Sequence, residues 1–187
     1  MKRFKLQPSS IDSLYEVDRY HRADDRGFLD RLFCQEELNS ILAGQTIRQI
    51  NQTLTRQQGT VRGLHFQFPP KGEMKIITCL RGRVWDVAVD LRKNSPTFLN
   101  YHSVTLTEEN RKSLVIPEGF AHGFQTLVPN CELLYFHTSD YAPDAEGALN
   151  ALDASIGIQW PQPVTVRSKR DSNHPIIDKN FTGLELP

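Results

Sequence analysis

Several things are scarce or missing in this chain, and each absence narrows its role. Charge of one sign is missing: 22 Lys and Arg are matched by 22 Asp and Glu, so the formal net charge is zero. That balance removes the electrostatic case for bulk nucleic-acid or membrane-surface binding, and any anionic ligand must be held by a few local cations. Long hydrophobic runs are missing too, since none approaches the roughly 18 apolar residues needed to span a bilayer. The N-terminal stretch Met1-Lys2-Arg3-Phe4-Lys5-Leu6 has charge but no following apolar core, so a signal peptide is not expected. Cysteine is sparse. Cys34, Cys79 and Cys131 form an odd set without CxxC spacing, and they read as buried or partly buried free thiols in a reducing cytoplasm. Internal repeats, low-complexity tracts and long linkers are also lacking. The 187 residues fit one domain, long enough to bury a substantial core without staples.

What is present is a β pattern. Residues 1–33 read as irregular segments and short strands, with a turn at Asp24-Asp25-Arg26-Gly27. Glu36 to Ala43, ended by Gly44, predicts one short helix with Leu38, Ile41 and Leu42 facing the core. Strands are predicted over 46–54, 60–67, 74–81, 83–91, 99–106, 113–116, 122–127 and 131–138, with separators carrying Gly, Pro, Asn or Ser. Many short strands at regular spacing indicate a barrel or double-sheet jelly roll with a few short helices. The expected organisation is a single domain: an N-terminal arm over about 1–45, a barrel over about 46–140 and a C-terminal segment over about 141–187. In that last segment Ile156, Ile158 and Trp160 are expected to pack against the barrel. The clearest alternation runs from Val84 to Leu91. Trp85, Val87, Val89 and Leu91 share one face, and Asp86, Ala88 and Asp90 share the other. The carboxylate-bearing face suits either solvent or a partly polar barrel interior.

Two segments carry the chemistry. Arg62-Gly63-Leu64-His65-Phe66-Gln67 and Ile116-Pro117-Glu118-Gly119-Phe120-Ala121-His122-Gly123-Phe124 each set one histidine in a short apolar run. Histidine titrates nearest neutrality, so it is the usual proton carrier and a frequent metal ligand. Pro117 to His122 fits the PxGxxH half of the cupin signature. The metal-binding half needs an HxH pair, and here it reads His65-Phe66-Gln67. The nearest acid, Glu73, lies at an unhelpful offset. An amide is a poor ligand for zinc, iron or copper compared with imidazole. His65 and His122 with one carboxylate would still make a facial triad, but a metal-free histidine site is the better reading. Arg62 poses a geometric problem, because strict alternation puts it on the face opposite His65. A bulge at Gly63 would turn both inward; otherwise Arg62 serves the rim.

A wider set of segments occurs in fixed order: Arg62 to Gln67, Asp86 to Arg92, Ser95-Pro96-Thr97, Ile116 to Phe124, Leu134-Tyr135, Tyr141-Ala142-Pro143, Gly157 to Pro161, and Ser168-Lys169-Arg170-Asp171. From about residue 20 to 175 the chain resembles the dTDP-4-dehydrorhamnose 3,5-epimerases. The resemblance implies a cupin jelly roll, a homodimer, no metal or organic cofactor, and inversion of C3 and C5 in a nucleotide-linked 4-keto-6-deoxy hexose. Protons α to the C4 keto group are acidic if the enolate is stabilised. The chemistry then needs a base on one face, an acid on the other, and a cation or donor at the enolate oxygen. By resemblance His65 is the base and Asp171 the carboxylate that pairs with it. Lys75 lies by the enolate oxygen, with Asp86 holding it, and Tyr135 is the acid. His122 lines the cavity, Gln49 and Asn51 lie near the sugar, and Arg62 and Arg26 are candidates for the diphosphate. Arg26-Gly27-Phe28 matches the segment that crosses to a neighbouring subunit, where Phe28 stacks on a base. Taken alone, His65 would pass for a structural histidine, Asp171 for a solvated acid, Lys75 for a rim residue and Tyr135 for a core aromatic.

The chain departs from the family pattern at Arg31, where a Glu is common, and at Phe136, Asp140 and Glu73, which replace Lys, Tyr and Gln. The competing readings are a C3-only epimerase or one for a different nucleotide sugar, a metal-dependent cupin, and a non-catalytic sugar-binding cupin. Metal analysis separates the metal cupin. A base and an acid on opposite faces argue against mere binding.

Overall fold

The computed structural model describes residues 2–186. Its strands are β1 (Phe4–Pro8), β2 (Tyr15–Arg19), β3 (Arg22–Asp24), β4 (Gly27–Leu29), β5 (Gln49–Thr55), β6 (Val61–Gln67), β7 (Lys75–Arg81), β8 (Arg83–Asp90), β9 (Tyr101–Thr107), β10 (Lys112–Ile116), β11 (Phe120–Thr126), β12 (Cys131–His137) and β13 (Glu146–Ala148). The helices are α1 (Gln35–Leu42) and α2 (Lys169–Ser172). Each strand predicted from 46 onward is found, within a few residues at its ends. The predicted helix is found one residue earlier than expected. It stops where Ala43 takes a left-handed φ of 49° ahead of Gly44, and Leu38, Ile41 and Leu42 are buried as expected.

Two antiparallel sheets face each other, in the orders β1-β2-β10-β7-β12-β5 and β13-β6-β11-β8-β9, and β3 and β4 form a separate hairpin. β1 and β2 pair onto β10, so part of the N-terminal arm extends the barrel sheet itself. No helix among the described residues is long and apolar enough to cross a membrane.

Alternation along the strands produces three apolar layers. Between the sheets lie Ile77, Val84, Ala88, Leu106, Leu114, Phe124, Leu133 and their neighbours. Outside the five-stranded sheet, Val61, Leu64, Val87, Val89 and Leu91 pack on Leu149, Ala151, Ile156, Ile158 and Trp160 of the C-terminal segment, as expected. Outside the six-stranded sheet, α1 covers Ile76, Val115 and Phe136. Each large side chain so buried contributes about 1.5–3 kcal/mol. The two faces of β8 therefore have distinct fates. The Trp85 face is closed by the C-terminal segment, and the Asp86 face looks into the barrel, where Asp86 is fully buried. The solvent alternative for Asp86 is thereby excluded. The three cysteines are free; Cys79 and Cys131 are buried and Cys34 is half-buried.

Candidate active site

A cavity of about 240 Å³ opens between the sheets. The five-stranded sheet lines it with Arg62, His65, His122 and Glu146, and the six-stranded sheet with Asn51, Lys75, Tyr135 and His137. His65 and Tyr135 thus stand on opposing walls of one cavity.

The His65 wall depends on a bulge. β6 and β11 pair His65 with His122 and Arg62 with Phe124, so Gly63 and Leu64 together face the single residue Gly123. The extra residue reverses the alternation and turns both Arg62 and His65 into the cavity, which resolves the conflict seen in the sequence. Only glycine fits at the bulge. Gly63 has φ of 118°, and a Cβ there would lie 2.6 Å from both the Gly123 Cα and the His122 carbonyl oxygen. The bulge also releases the Gly63 N–H, which donates to Asp171 Oδ2 at 3.3 Å.

Asp171 comes from α2, far along the chain. Its backbone N–H donates to the Ser168 Oγ cap at 2.9 Å, and its Oδ1 lies 3.0 Å from His65 Nε2. Burial alone would raise the Asp171 carboxyl. The His65 hydrogen bond and charge and the Gly63 N–H outweigh it and hold the pKa at about 2. Asp171 therefore stays ionised and fixes His65 as the Nε2–H tautomer. Nδ1 is then the one ring nitrogen left to accept a proton.

On the opposite wall, burial pushes the Tyr135 phenol well above its ordinary pKa, so it keeps its proton. Lys75 is buried with its Nζ 3.2 Å from Glu73 Oε1 and 3.4 Å from the His65 carbonyl oxygen. The expected partner of Lys75 was Asp86, and the structure corrects this. Asp86 lies on the other sheet with both carboxylate oxygens 3.0 Å from His122 Nε2, beyond ion-pair contact with Lys75, and its pKa is raised because burial outweighs the His122 pairing and the more distant Lys75 charge. Glu73 precedes Lys75 by two residues and so shares its side of the chain. Its other oxygen, Oε2, lies 2.7 Å from His137 Nδ1. Burial would raise Glu73, but His137 and Lys75 overcome this and lower it. The offset that made Glu73 look unhelpful in sequence therefore brings it into the cavity. His137 was not singled out in the sequence. The signal was available, because it follows Tyr135 by two residues on a strand and must share its face.

The remaining candidates divide. His122 lines the cavity, and Asn51 does too, with its Nδ2 3.3 Å from His137 Nε2. Gln49 is directed instead to the Ser139 carbonyl oxygen at 3.2 Å, away from the cavity lining. Gln67, the residue in place of a second cupin histidine, is committed to the loop beyond Pro69-Pro70. Its Nε2 donates to the Lys71 carbonyl and its Oε1 accepts the Ala142 N–H. Arg26 and Phe28 are not brought to the cavity of their own chain. They sit on the β3–β4 hairpin, with Arg26 paired to Asp24 at 2.6 Å and Phe28 68% exposed. The facial triad imagined from His65 and His122 is not assembled, since each histidine holds its own carboxylate. Tyr141 and Glu146, joined at 2.8 Å, complete the mouth.

A jelly roll with a carboxylate-oriented histidine on one sheet and a buried phenol and lysine on the facing sheet is the arrangement of the cupin-type sugar epimerases, a class of isomerase. Comparison with known proteins narrows this. A family model for dTDP-4-dehydrorhamnose 3,5-epimerase matches residues 8–179. The dTDP-4-dehydrorhamnose 3,5-epimerase of Sinorhizobium fredii is 40% identical over 155 residues, covering 82% of this chain and 80% of that protein. A dTDP-4-dehydrorhamnose 3-epimerase of Streptomyces niveus is 34% identical over 170 residues, covering 90% and 82%. Among solved structures, the dTDP-6-deoxy-D-glucose-3,5-epimerase of Legionella pneumophila, in complex with dTDP-4-keto-L-rhamnose, superposes with a TM-score of 0.90 at 31% identity, covering 98% of this chain and all of that one. The chain belongs to the dTDP-4-dehydrorhamnose 3,5-epimerase family.

Proposed function

We propose that this isomerase inverts C3 and C5 of dTDP-4-keto-6-deoxyglucose by deprotonation and reprotonation through an enolate, in the pathway to dTDP-rhamnose. The observation that carries the reading is the placement of the His65–Asp171 pair and Tyr135 on opposing walls of one cavity. His65 Nδ1 takes the proton α to the keto group, and Asp171 stabilises the imidazolium that results. The Lys75 ammonium neutralises charge on the enolate oxygen, worth several kcal/mol in a buried site. Tyr135 returns a proton from the other face, and the centre inverts. His122, braced by Asp86, and Asn51 bind the sugar.

The cavity, about 240 Å³, suits a hexose ring and leaves the nucleotide diphosphate at the mouth. Arg62 is placed there for phosphate. Arg26 and Phe28 act in a partner's site across a homodimer, with Phe28 stacked on the base. The exposure of Phe28 and Leu29 on a hairpin remote from their own cavity supports this. Light scattering at micromolar concentration should give a dimer, and a fully active monomer would exclude that arrangement. The protein acts in the cytoplasm, without metal or organic cofactor, and outside any nucleic-acid or membrane complex.

The test is NMR of dTDP-4-keto-6-deoxyglucose with the enzyme in heavy water. Deuterium should enter at both C3 and C5, with the 4-keto-rhamnose configuration appearing. The Streptomyces niveus relative named as a 3-epimerase favours a second reading, in which exchange at C3 alone yields the singly inverted product. No exchange at C3 and none at C5 would overturn both.

A further inference from the structure

His174 has no part in the reaction as described, yet it stands beside the base. It follows Asp171 by three residues, and its Nε2 lies 3.4 Å from Asp171 Oδ1, the oxygen that already holds His65 Nε2 at 3.0 Å. The two imidazole rings meet edge to face, at 87° with centroids 5.6 Å apart. His174 Nε2 is buried and makes no hydrogen bond of good geometry. The His174 Nε2 therefore adds a third potential ligating atom beside the Asp171 carboxylate and the His65 imidazole. Among the described residues, His65, Asp171 and His174 are the one group of three whose ligating atoms lie within 4.8 Å of one another.

We propose that His65, Asp171 and His174 form a binding site for a divalent transition metal such as Zn²⁺ or Co²⁺, and that the metal inhibits the enzyme by occupying its base. Metal bonds of about 2.0–2.1 Å place tetrahedral ligand atoms about 3.3 Å apart. Two of the three separations already match, and closing the third needs a shift of about 1.5 Å at most. Two imidazoles and one carboxylate suit zinc, cobalt, nickel or iron, and suit magnesium or calcium poorly. An acidic residue and a histidine at i and i+3 also recur as paired ligands in other metal proteins. The fourth position is left to water.

Inhibition follows from the tautomer. In the metal-free site the ring proton of His65 is on Nε2, toward Asp171, and Nδ1 carries the basic lone pair. A metal taking Nε2 transfers that proton to Nδ1, and no lone pair remains for the sugar. The carboxylate charge that would stabilise the imidazolium is consumed in the same event. The metal is therefore an antagonist of proton transfer, and its site is built from the catalytic dyad plus one residue that catalysis leaves unused.

The binding test is independent of the proposed reaction; the inhibition test rests on it. Metal-free protein is titrated with Co²⁺ and followed by visible absorption, then with Zn²⁺ by calorimetry. One equivalent should bind, with intense low-coordinate cobalt bands, and ¹⁵N-detected NMR should show the Nε2 signals of His65 and His174 shifting together. Deuterium exchange into the keto-sugar should fall as the site fills and recover on chelation. His174→Ala, or His174→Asn if the first variant folds poorly, should keep metal-free exchange near wild type and weaken both binding and inhibition by about 100-fold, at least the cost of losing an outer-shell partner. No one-to-one binding, or equal affinity in the His174 variants, would overturn the site. Stoichiometric binding with exchange undiminished would overturn the inhibition. A wild type that binds metal at His65 and His174 but shows no exchange without metal leaves the site standing, overturns the inhibition and refutes the proposed reaction.

Discussion

The two walls of the cavity solve opposite electrostatic problems. On the five-stranded wall, His65 keeps about a third of its side chain exposed and rests on an ionised carboxylate. On the six-stranded wall, Tyr135 is buried and its phenol is driven toward the protonated form. In the proposed reaction, the group that gains a proton is thus kept partly wet and beside a negative charge, and the group that returns one is kept dry. The layers behind the walls differ in parallel: the C-terminal segment that covers the His65 sheet also supplies Asp171, whereas α1 supplies only apolar cover behind Tyr135.

Removing the base should have the largest effect. His65→Ala should abolish exchange at both carbons, at the severe end of the 10²–10⁴-fold typical for a positioned acid or base, that is about 10⁴-fold, read as deuterium entry. Gly63→Ala tests whether the base wall depends on its bulge. The added methyl meets backbone on two sides at an unfavourable φ, so His65 should be displaced, with exchange lower by about 10²-fold and a reduced melting temperature. Asp171→Asn should be milder than His65→Ala, at about 10²-fold, because the imidazole remains while its orienting charge is gone. The same residue predicts a pH dependence of stability. Its folded pKa of about 2 lies below the ordinary 3.8, so its contribution is complete above about pH 4 and is lost as the pH falls toward 2. Asp171→Asn should flatten that part of the melting-temperature profile. The smallest effect is expected from a side chain that only positions others on the Tyr135 wall. Glu73→Gln removes the charge between Lys75 and His137 while keeping an oxygen acceptor, and should change kcat by less than about tenfold, or about 1.4 kcal/mol.

The strands from 46 onward were legible because turn residues separate them and alternation marks their faces. The helix over α1 was legible from its apolar spacing and Gly44. β3 and β4 were blurred because every residue of each is exposed and they carry no alternating apolar face. Two of the histidine–carboxylate pairs at the site span sequence separations that no local pattern encodes: 106 residues for His65 and Asp171, and 64 for Glu73 and His137. Family resemblance supplied the first of these and missed the second, since Glu73 was noted only as a departure. Asp86 was assigned to Lys75 by the family resemblance. Which sheet each belongs to decides the matter, and that depends on strand order rather than on spacing.

The central claim is that proton removal and proton return belong to different walls, and Tyr135→Phe tests it most directly. In heavy water, with dTDP-4-keto-6-deoxyglucose as substrate, deuterium entry and formation of inverted product are measured in the same NMR time course. The account predicts that the variant keeps deuterium entry within about tenfold of wild type while inversion falls by about 10²-fold or more, because the enolate still forms and is reprotonated from the original face. Equal loss of exchange and inversion, or inversion at the wild-type rate, would contradict the division of labour between the two walls.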